Sequence, residues 1–290
     1  MRLLYMYVFF PKDRNLSPDT LILHLTQEML RSAIDGLNLV QFLPMLLVLE
    51  QDEHISTPLD CDHPKFYWIF KNLDFKQWSR AKCSRVLRLS GPPECDIHQV
   101  SSYIACQEKN REHLVLYFFC SPEITRGSTA VHTILNQIVH CSPMDKRILI
   151  VRRFLHSLLE QTFQKEEALS WKQRGFREED SPDTSIRKIL EAPIVELWTA
   201  LGAVLSCEQG RELSIIVDGL EHIQHQRAKF ITGVRSFVEH LQQRTSEVKI
   251  LLTSRPLPEI KDLLNGLPFI EYDKERKGSP ASHVPTLYQN

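Results

Sequence analysis

Three stretches of the chain place residues with chemical potential at the ends of apolar runs. "LSIIVDGLEHI" (213–223) ends its run at Asp218, with Glu221 three residues on. A carboxylate at such a strand end holds magnesium in nucleotide-hydrolysing enzymes, directly or through water. The competing reading is an acidic helix start, which both residues would also favour. "VKILLTSRPLPEI" (248–260) runs through Thr253 and Ser254 to Arg255. A cation there points to the crevice where ligands of open α/β sheets bind; a solvated surface arginine is the alternative. "VLRLSGPPECDIHQV" (86–100) has the strand, glycine turn and helix start with which a phosphate-binding loop begins.

The third stretch then departs from the G-x-x-x-x-G-K-[ST] form of that loop. Aligned on Gly91, it has Pro92, Pro93, Glu94 and Cys95, then Asp96 for the second glycine, Ile97 for the lysine and His98 for the hydroxyl residue. Each change has a physical consequence. Ile97 presents no charge, and a charge-assisted hydrogen bond is worth about 1.5–3 kcal/mol. His98 is a poor magnesium ligand, because magnesium prefers oxygen. An Asp96 at positive φ costs about 1 kcal/mol more than glycine. Glu94 and Asp96 put carboxylates where phosphates would sit, and Pro92 and Pro93 carry no N–H to donate. Binding near 1 μM corresponds to about 8 kcal/mol, so losing several of these terms together drives affinity toward millimolar.

Other groupings carry less. "DCDHP" (60–64) has no partner pair at metal-ligand spacing. "EHIQH" (221–225) sets Glu221 and His225 at i,i+4, which reads better as a solvated helix start than as a metal clamp. Cys95 lies between two acids, which disfavours its thiolate and so a Cys–His hydrolase. "YFF" (117–119) reads as core within its apolar strand, not as a base-stacking platform.

The elements that must position these residues follow from periodicity. Short apolar runs, "VLRL" (86–89), "LVLYFF" (114–119), "SIIV" (214–217), "KILLT" (249–253) and "FIEY" (269–272), alternate with segments of helical period. Ile148 to Leu159, Ile186 to Leu205 and Phe230 to Leu241 each trace one apolar helical face. That alternation predicts a mainly parallel five-stranded sheet flanked by helices, a three-layer α/β domain. Upstream, 17–34 has helix character, 42–50 is a buried element, 51–64 a polar linker, and 65–78 carries apolar residues at near-helical intervals. Residues 172–185 read as a surface excursion and 274–290 as a loose tail.

Bulk composition narrows the classes. The chain has 290 residues, 42% of them hydrophobic, with a formal net charge of −1, so no general field for nucleic acid or anionic lipid is expected. Seven cysteines without C-x-x-C pairs suit a reducing compartment. The apolar run Leu3 to Phe10 is short and lacks a small-residue cleavage site, which argues against a secretory signal. No stretch reaches the roughly 18 apolar residues of a spanning helix.

"FYWIFKNLDFKQW", "RVLRLSGPP", "LVLYFFCSP", "SIIVDGLEHI" and "KILLTSRPLPEI" occur in the order seen in NACHT-type STAND P-loop NTPases. The chain resembles most the nephrocystin-3-like N-terminal module of fungal signalling and incompatibility proteins. The resemblance implies a P-loop NTPase fold over 65–273, preceded by an N-terminal helical or irregular segment (1–64) and followed by a disordered tail (274–290). It implies nucleotide-binding positions at Gly91, Pro93 and Arg255, the arginine sensing the terminal phosphate. Glu94, Asp96, Ile97 and His98 would make the loop degenerate. It implies metal binding at Asp218 and a catalytic role for Asp218 with Glu221. The implied cofactor is Mg-ATP or Mg-GTP, if any. The implied activity is a cytoplasmic switch or interaction module, non-hydrolytic in this chain. Its partners would be proteins or further copies of itself, with no nucleic acid and no membrane. The alternatives are an active ATP/GTP hydrolase whose loop charge comes from elsewhere, and a truncated remnant.

Overall fold

A computed structural model describes residues 18–45, 66–92, 95–109, 113–122, 126–164, 181–206, 212–224, 226–242 and 247–272. Five strands form one parallel sheet: β1 (Arg85–Ser90), β2 (Leu114–Phe119), β3 (Leu213–Asp218), β4 (Val248–Ser254) and β5 (Phe269–Glu271), in the order β2-β3-β4-β1-β5. The helices are α1 (Pro18–Gly36), α2 (Leu39–Phe42), α3 (Tyr67–Lys71), α4 (Leu73–Ser79), α5 (Ile97–Lys109), α6 (Gly127–Cys141), α7 (Met144–Gln164), α8 (Pro182–Leu190), α9 (Ile194–Leu205), α10 (Arg227–Gln242) and α11 (Pro258–Leu263).

The protein is a three-layer α/β fold, because both faces of the sheet are apolar and must be covered. Leu87, Leu89, Tyr117, Phe119, Ile216 and Leu251 pack on one side with Phe66, Phe75 and Trp78 of the α3–α4 region and Tyr103 and Ile104 of α5. Val86, Leu116, Phe118, Ile215, Val217, Ile250 and Leu252 face α6 to α10 on the other. Leu30, Ile34, Leu37 and Phe42, from α1 and α2, join this second core. The aromatic run expected to be core, Tyr117 to Phe119, is buried throughout.

Two boundaries differ from the periodicity. The apolar face from Ile186 to Leu205 is two helices, because Pro193 sits at the N-cap of α9 and has no N–H to continue α8. The segment 65–78 is likewise broken at Asn72, whose side chain accepts the N–H groups of Asp74 (2.8 Å) and Phe75 (3.1 Å) to start α4. The expected surface excursion gives way at its end to α8, whose first turn holds Pro182 and whose N-cap, Ser181, accepts from Thr184 N–H at 3.2 Å. The expected linker 51–64, the tail 274–290, and Pro93, Glu94 and His225 lie outside the described residues.

The exposed edge of β2 is closed by a side chain. Gln137 of α6 accepts Tyr117 N–H and donates to Tyr117 O, both at 2.9 Å, so the free strand edge has no template to offer a second chain at that point. Among the described residues no helix is long and apolar enough to cross a membrane.

Candidate functional site

The carboxyl ends of β1, β3 and β4 are neighbours in the sheet, and the residues singled out from sequence sit there. Ser90 pairs with Ser254 across β1 and β4, so Gly91 and Arg255 follow on adjacent strands. Val217 pairs with Leu252, which sets Asp218 beside Thr253. Helix α5 starts at Ile97, with Val100 N–H donating to Asp96 O at 3.1 Å. Its first turns project His98 and Ser101 onto the end of β3.

Asp218 is fully buried, and its carboxylate is bonded on both oxygens. His98 Nδ1 donates to Oδ2. The Ser101 hydroxyl donates to Oδ1 at 2.5 Å, and the Thr253 hydroxyl donates to the same oxygen. Thr253 Oγ1 in turn accepts Gly219 N–H at 3.2 Å. A charge taken out of water needs such partners, since leaving it bare would cost several kcal/mol. The bond to Asp218 raises the His98 pKa above its ordinary 6.5 and the nearby Asp218 and Glu221 charges add to this, while burial and Arg255 pull it down. His98 is thus the hydrogen-bond partner of the buried carboxylate, and the bond favours its protonated form.

Glu221 and Arg255 are also brought together. Arg255 N–H donates to Glu221 Oε2 at 3.2 Å, and Arg255 Nε lies 3.4 Å from Oε1. The arginine side chain is half exposed, and the glutamate only 8% exposed. Leu220–His222 is a 3-10 turn entered through Gly219 in the left-handed region (φ 76). A Cβ at Gly219 would stand 3.2 Å from His222 Cδ2, 3.3 Å from His98 Cε1 and 3.2 Å from Cys120 O, so glycine lets the two rings close over it. The His98 and His222 rings are near-parallel, 6.4 Å apart. Ligand-type atoms of His98, Glu221 and His222 lie within 4.8 Å of one another. Cys120, behind them, is buried and held well above an ordinary thiol pKa by burial first and by the charges of Asp218 and Glu221 second, so it is no nucleophile.

Around Gly91 the space is filled. A Cβ there would lie 2.7 Å from Ile97 Cδ1 and 3.2 Å from Tyr272 Cβ, so the isoleucine side chain lies directly over the glycine. Cys95 N–H is spent on Pro92 O at 2.9 Å. Asp96 is exposed and opens α5.

The profile of the family described as "Nephrocystin 3, N-terminal" matches residues 65–255, more than half of the chain. The chain belongs to the nephrocystin 3 N-terminal family. No curated protein matches it in sequence. The matched segment runs from two residues before α3 to Arg255, so it takes in four of the five strands and every residue of the carboxyl-edge cluster.

Sequence reading found Gly91, Asp218, Glu221 and Arg255 from their places at strand ends, but missed Ser101 and Thr253 as partners of Asp218. Thr253 stood in a quoted stretch, one residue from the end of an apolar run. Ser101 carried a weaker signal: it lies one helical turn beyond His98, on the same face of α5.

Proposed function

We propose that this nephrocystin 3 N-terminal domain is a NACHT-type STAND module, built on the P-loop NTPase plan, that has lost its triphosphate site and works without hydrolysis through protein contacts. The observation that carries the reading is the closed Asp218. Its two oxygens are occupied by His98, Ser101 and Thr253, with an imidazole nitrogen where a magnesium ligand should be an oxygen. The donor set suits magnesium poorly, and no step through Mg-nucleotide follows from it.

The loop supports the same reading. Ile97 lies over Gly91 and brings no positive charge. The N–H groups that would cradle phosphates are missing at Pro92 and Pro93 and already used at Cys95. Arg255 faces Glu221, with its backbone N–H donating to Oε2 and its Nε 3.4 Å from Oε1. The strand order and the carboxyl-edge placement of Asp218 and Arg255 support the NTPase plan. Among the described residues Cys83, Cys95, Cys106, Cys120 and Cys141 form no disulfide, which supports a reducing, cytoplasmic setting.

Calorimetry with Mg-ATP and with Mg-GTP tests the proposal. The expected result is no saturable heat up to millimolar nucleotide; saturable binding near about 10 μM, roughly 7 kcal/mol, would overturn it. The combined variant Glu94→Gly, Asp96→Gly, Ile97→Lys, His98→Ser is expected to gain binding. A folded variant without that gain would count against descent from a nucleotide site.

A further inference from the structure

The geometry points to a transition-metal site, zinc being the fitting ion, formed by His98 Nε2, Glu221 and His222 at the carboxyl edge of the sheet. Neither a triphosphate nor magnesium takes part in it, and it does not depend on whether nucleotide binds.

Three observations carry it. The first is the donor set: two imidazoles and one carboxylate are a zinc ligand set, leaving a fourth position for water. Their ligand atoms already lie within 4.8 Å of one another. Bonds of about 2.0–2.1 Å to a tetrahedral ion put ligands about 3.3 Å apart, so closure asks for roughly 1.5 Å of side-chain movement. His222, on its short 3-10 turn, is only partly buried and can make that movement.

The second observation is the orientation of His98. Its Nδ1 donates to Asp218 Oδ2, which fixes the tautomer and leaves Nε2 as the free ligand nitrogen of the half-exposed ring. A carboxylate behind a histidine is how proteins aim the other nitrogen at a metal and raise its basicity. Asp218 is itself fixed by Ser101 and Thr253, so the aim is rigid. Asp218 is here a positioning residue, acting through His98.

The third is the floor. Gly219 is held at φ 76, and a Cβ there would press on both His98 and His222. The glycine therefore keeps open the approach of the two ligands. Glu221 is steadied by the Arg255 backbone N–H while its other oxygen faces the Arg255 side chain at a loose 3.4 Å. A metal with a higher charge displaces such a half-exposed guanidinium readily.

The test uses the full chain, stripped with a chelator and dialysed, then titrated with zinc alone while bound metal is counted. Cobalt(II) replaces zinc in a parallel absorption measurement. The expected outcome is one zinc per chain and a cobalt spectrum of nitrogen and oxygen ligands without a thiolate band. The thiolate band matters because the chain has seven cysteines. Asp218→Asn should weaken binding by about 10–100-fold, the effect of losing the partner behind a ligand. His98→Ala and His222→Ala should each exceed about 100-fold on the same scale. Should a variant fail to fold, as judged by circular dichroism, the zinc count and cobalt spectrum of the unaltered chain still decide. No zinc bound at about 0.1 mM, a thiolate band, or zinc retained by a folded His98→Ala/His222→Ala double variant would each overturn the site. Such a failure leaves the non-hydrolytic reading untouched, and Mg-ATP binding would overturn that reading without changing the zinc count.

Discussion

Acid should unfold this domain through one histidine in the middle of its core. His132 on α6 is 7% exposed. A hydrogen bond donated to the Leu190 backbone carbonyl favours its charged form, but burial wins and lowers its pKa from 6.5 to about 4. Its Nε2 is buried with no hydrogen-bond partner among the described residues, so a proton added there would meet no acceptor among them. Between pH 6.5 and about 4 the unfolded chain carries a proton on this residue that the folded chain refuses. The contribution of His132 to stability is therefore complete above that window, falls as pH falls through it, and is gone below about 4. At about 1.36 kcal/mol per pH unit, the gap amounts to about 3 kcal/mol, a fifth or more of the roughly 5–15 kcal/mol typical of a domain. His98 acts with the opposite sign and in a different window: its pKa is raised, so its contribution is complete below pH 6.5 and is lost as pH rises above that value. Urea unfolding at steps from pH 7.5 to 4.5 measures the slope, and His132→Leu isolates the residue. The unaltered chain should lose about 3 kcal/mol more than the variant across the window. Parallel curves for the two, within about 0.5 kcal/mol, would refute the reasoning.

Gly233→Ala should cost about 1–3 kcal/mol in urea unfolding, since its Cβ would lie 2.5 Å from Cδ1 of Trp198, which Phe230 and Phe237 hold in place between α9 and α10. Lys249, 1% exposed in β4, has Glu212 Oε2 at 3.3 Å. Glu212→Gln should destabilise by about 1–3 kcal/mol by stranding that ammonium, whereas Lys249→Met should be neutral or stabilising; equal losses from both would contradict the desolvation argument. Deleting residues 1–64 removes Leu30, Ile34, Leu37 and Phe42 from the core. At about 1.5–3 kcal/mol for each buried side chain, the shortened chain should melt well below the full one, and an unchanged melting temperature would show that α1 and α2 contribute little.

Strands β1 to β4 were legible because each is a short, mostly apolar run buried along nearly all its length, a pattern with few other uses in a domain of this size. Helix faces were legible for the same reason, but their ends were not. Periodicity ran on from Ile186 to Leu205 because the residues on both sides of Pro193 face one core; only the missing N–H at that proline divides them. At the site, Asp218 and Arg255 could be found because position along a strand fixes which end of the sheet a residue reaches. The partners of Asp218 could not. His98 and Ser101 lie 120 and 117 residues away in sequence, and nothing local to α5 states which strand end it will cover. His98 was weighed as a substitute for a magnesium ligand, when its partner is the carboxylate that such a metal would need.

That partnership decides how a nucleotide site could be rebuilt. A fully buried carboxylate must be satisfied, by a metal or by hydrogen-bond donors from side chains. With His98 in place the requirement is met inside the protein, and an arriving magnesium would have to break the bond to Asp218 and then accept a nitrogen ligand. Ile97→Lys alone should therefore gain nothing: it supplies charge above Gly91 but leaves Asp218 closed. His98→Ser alone should also gain nothing, and it removes the histidine bonded to Asp218 while no phosphate-bound metal is held. Only the two together, with glycine in place of Glu94 and Asp96 to open the loop, give the metal both an oxygen ligand and a phosphate to bridge. The measurement is Mg-ATP calorimetry on each folded variant. Binding by Ile97→Lys alone would mean that the His98–Asp218 bond is not the barrier, and the closed carboxylate would no longer explain the lost site.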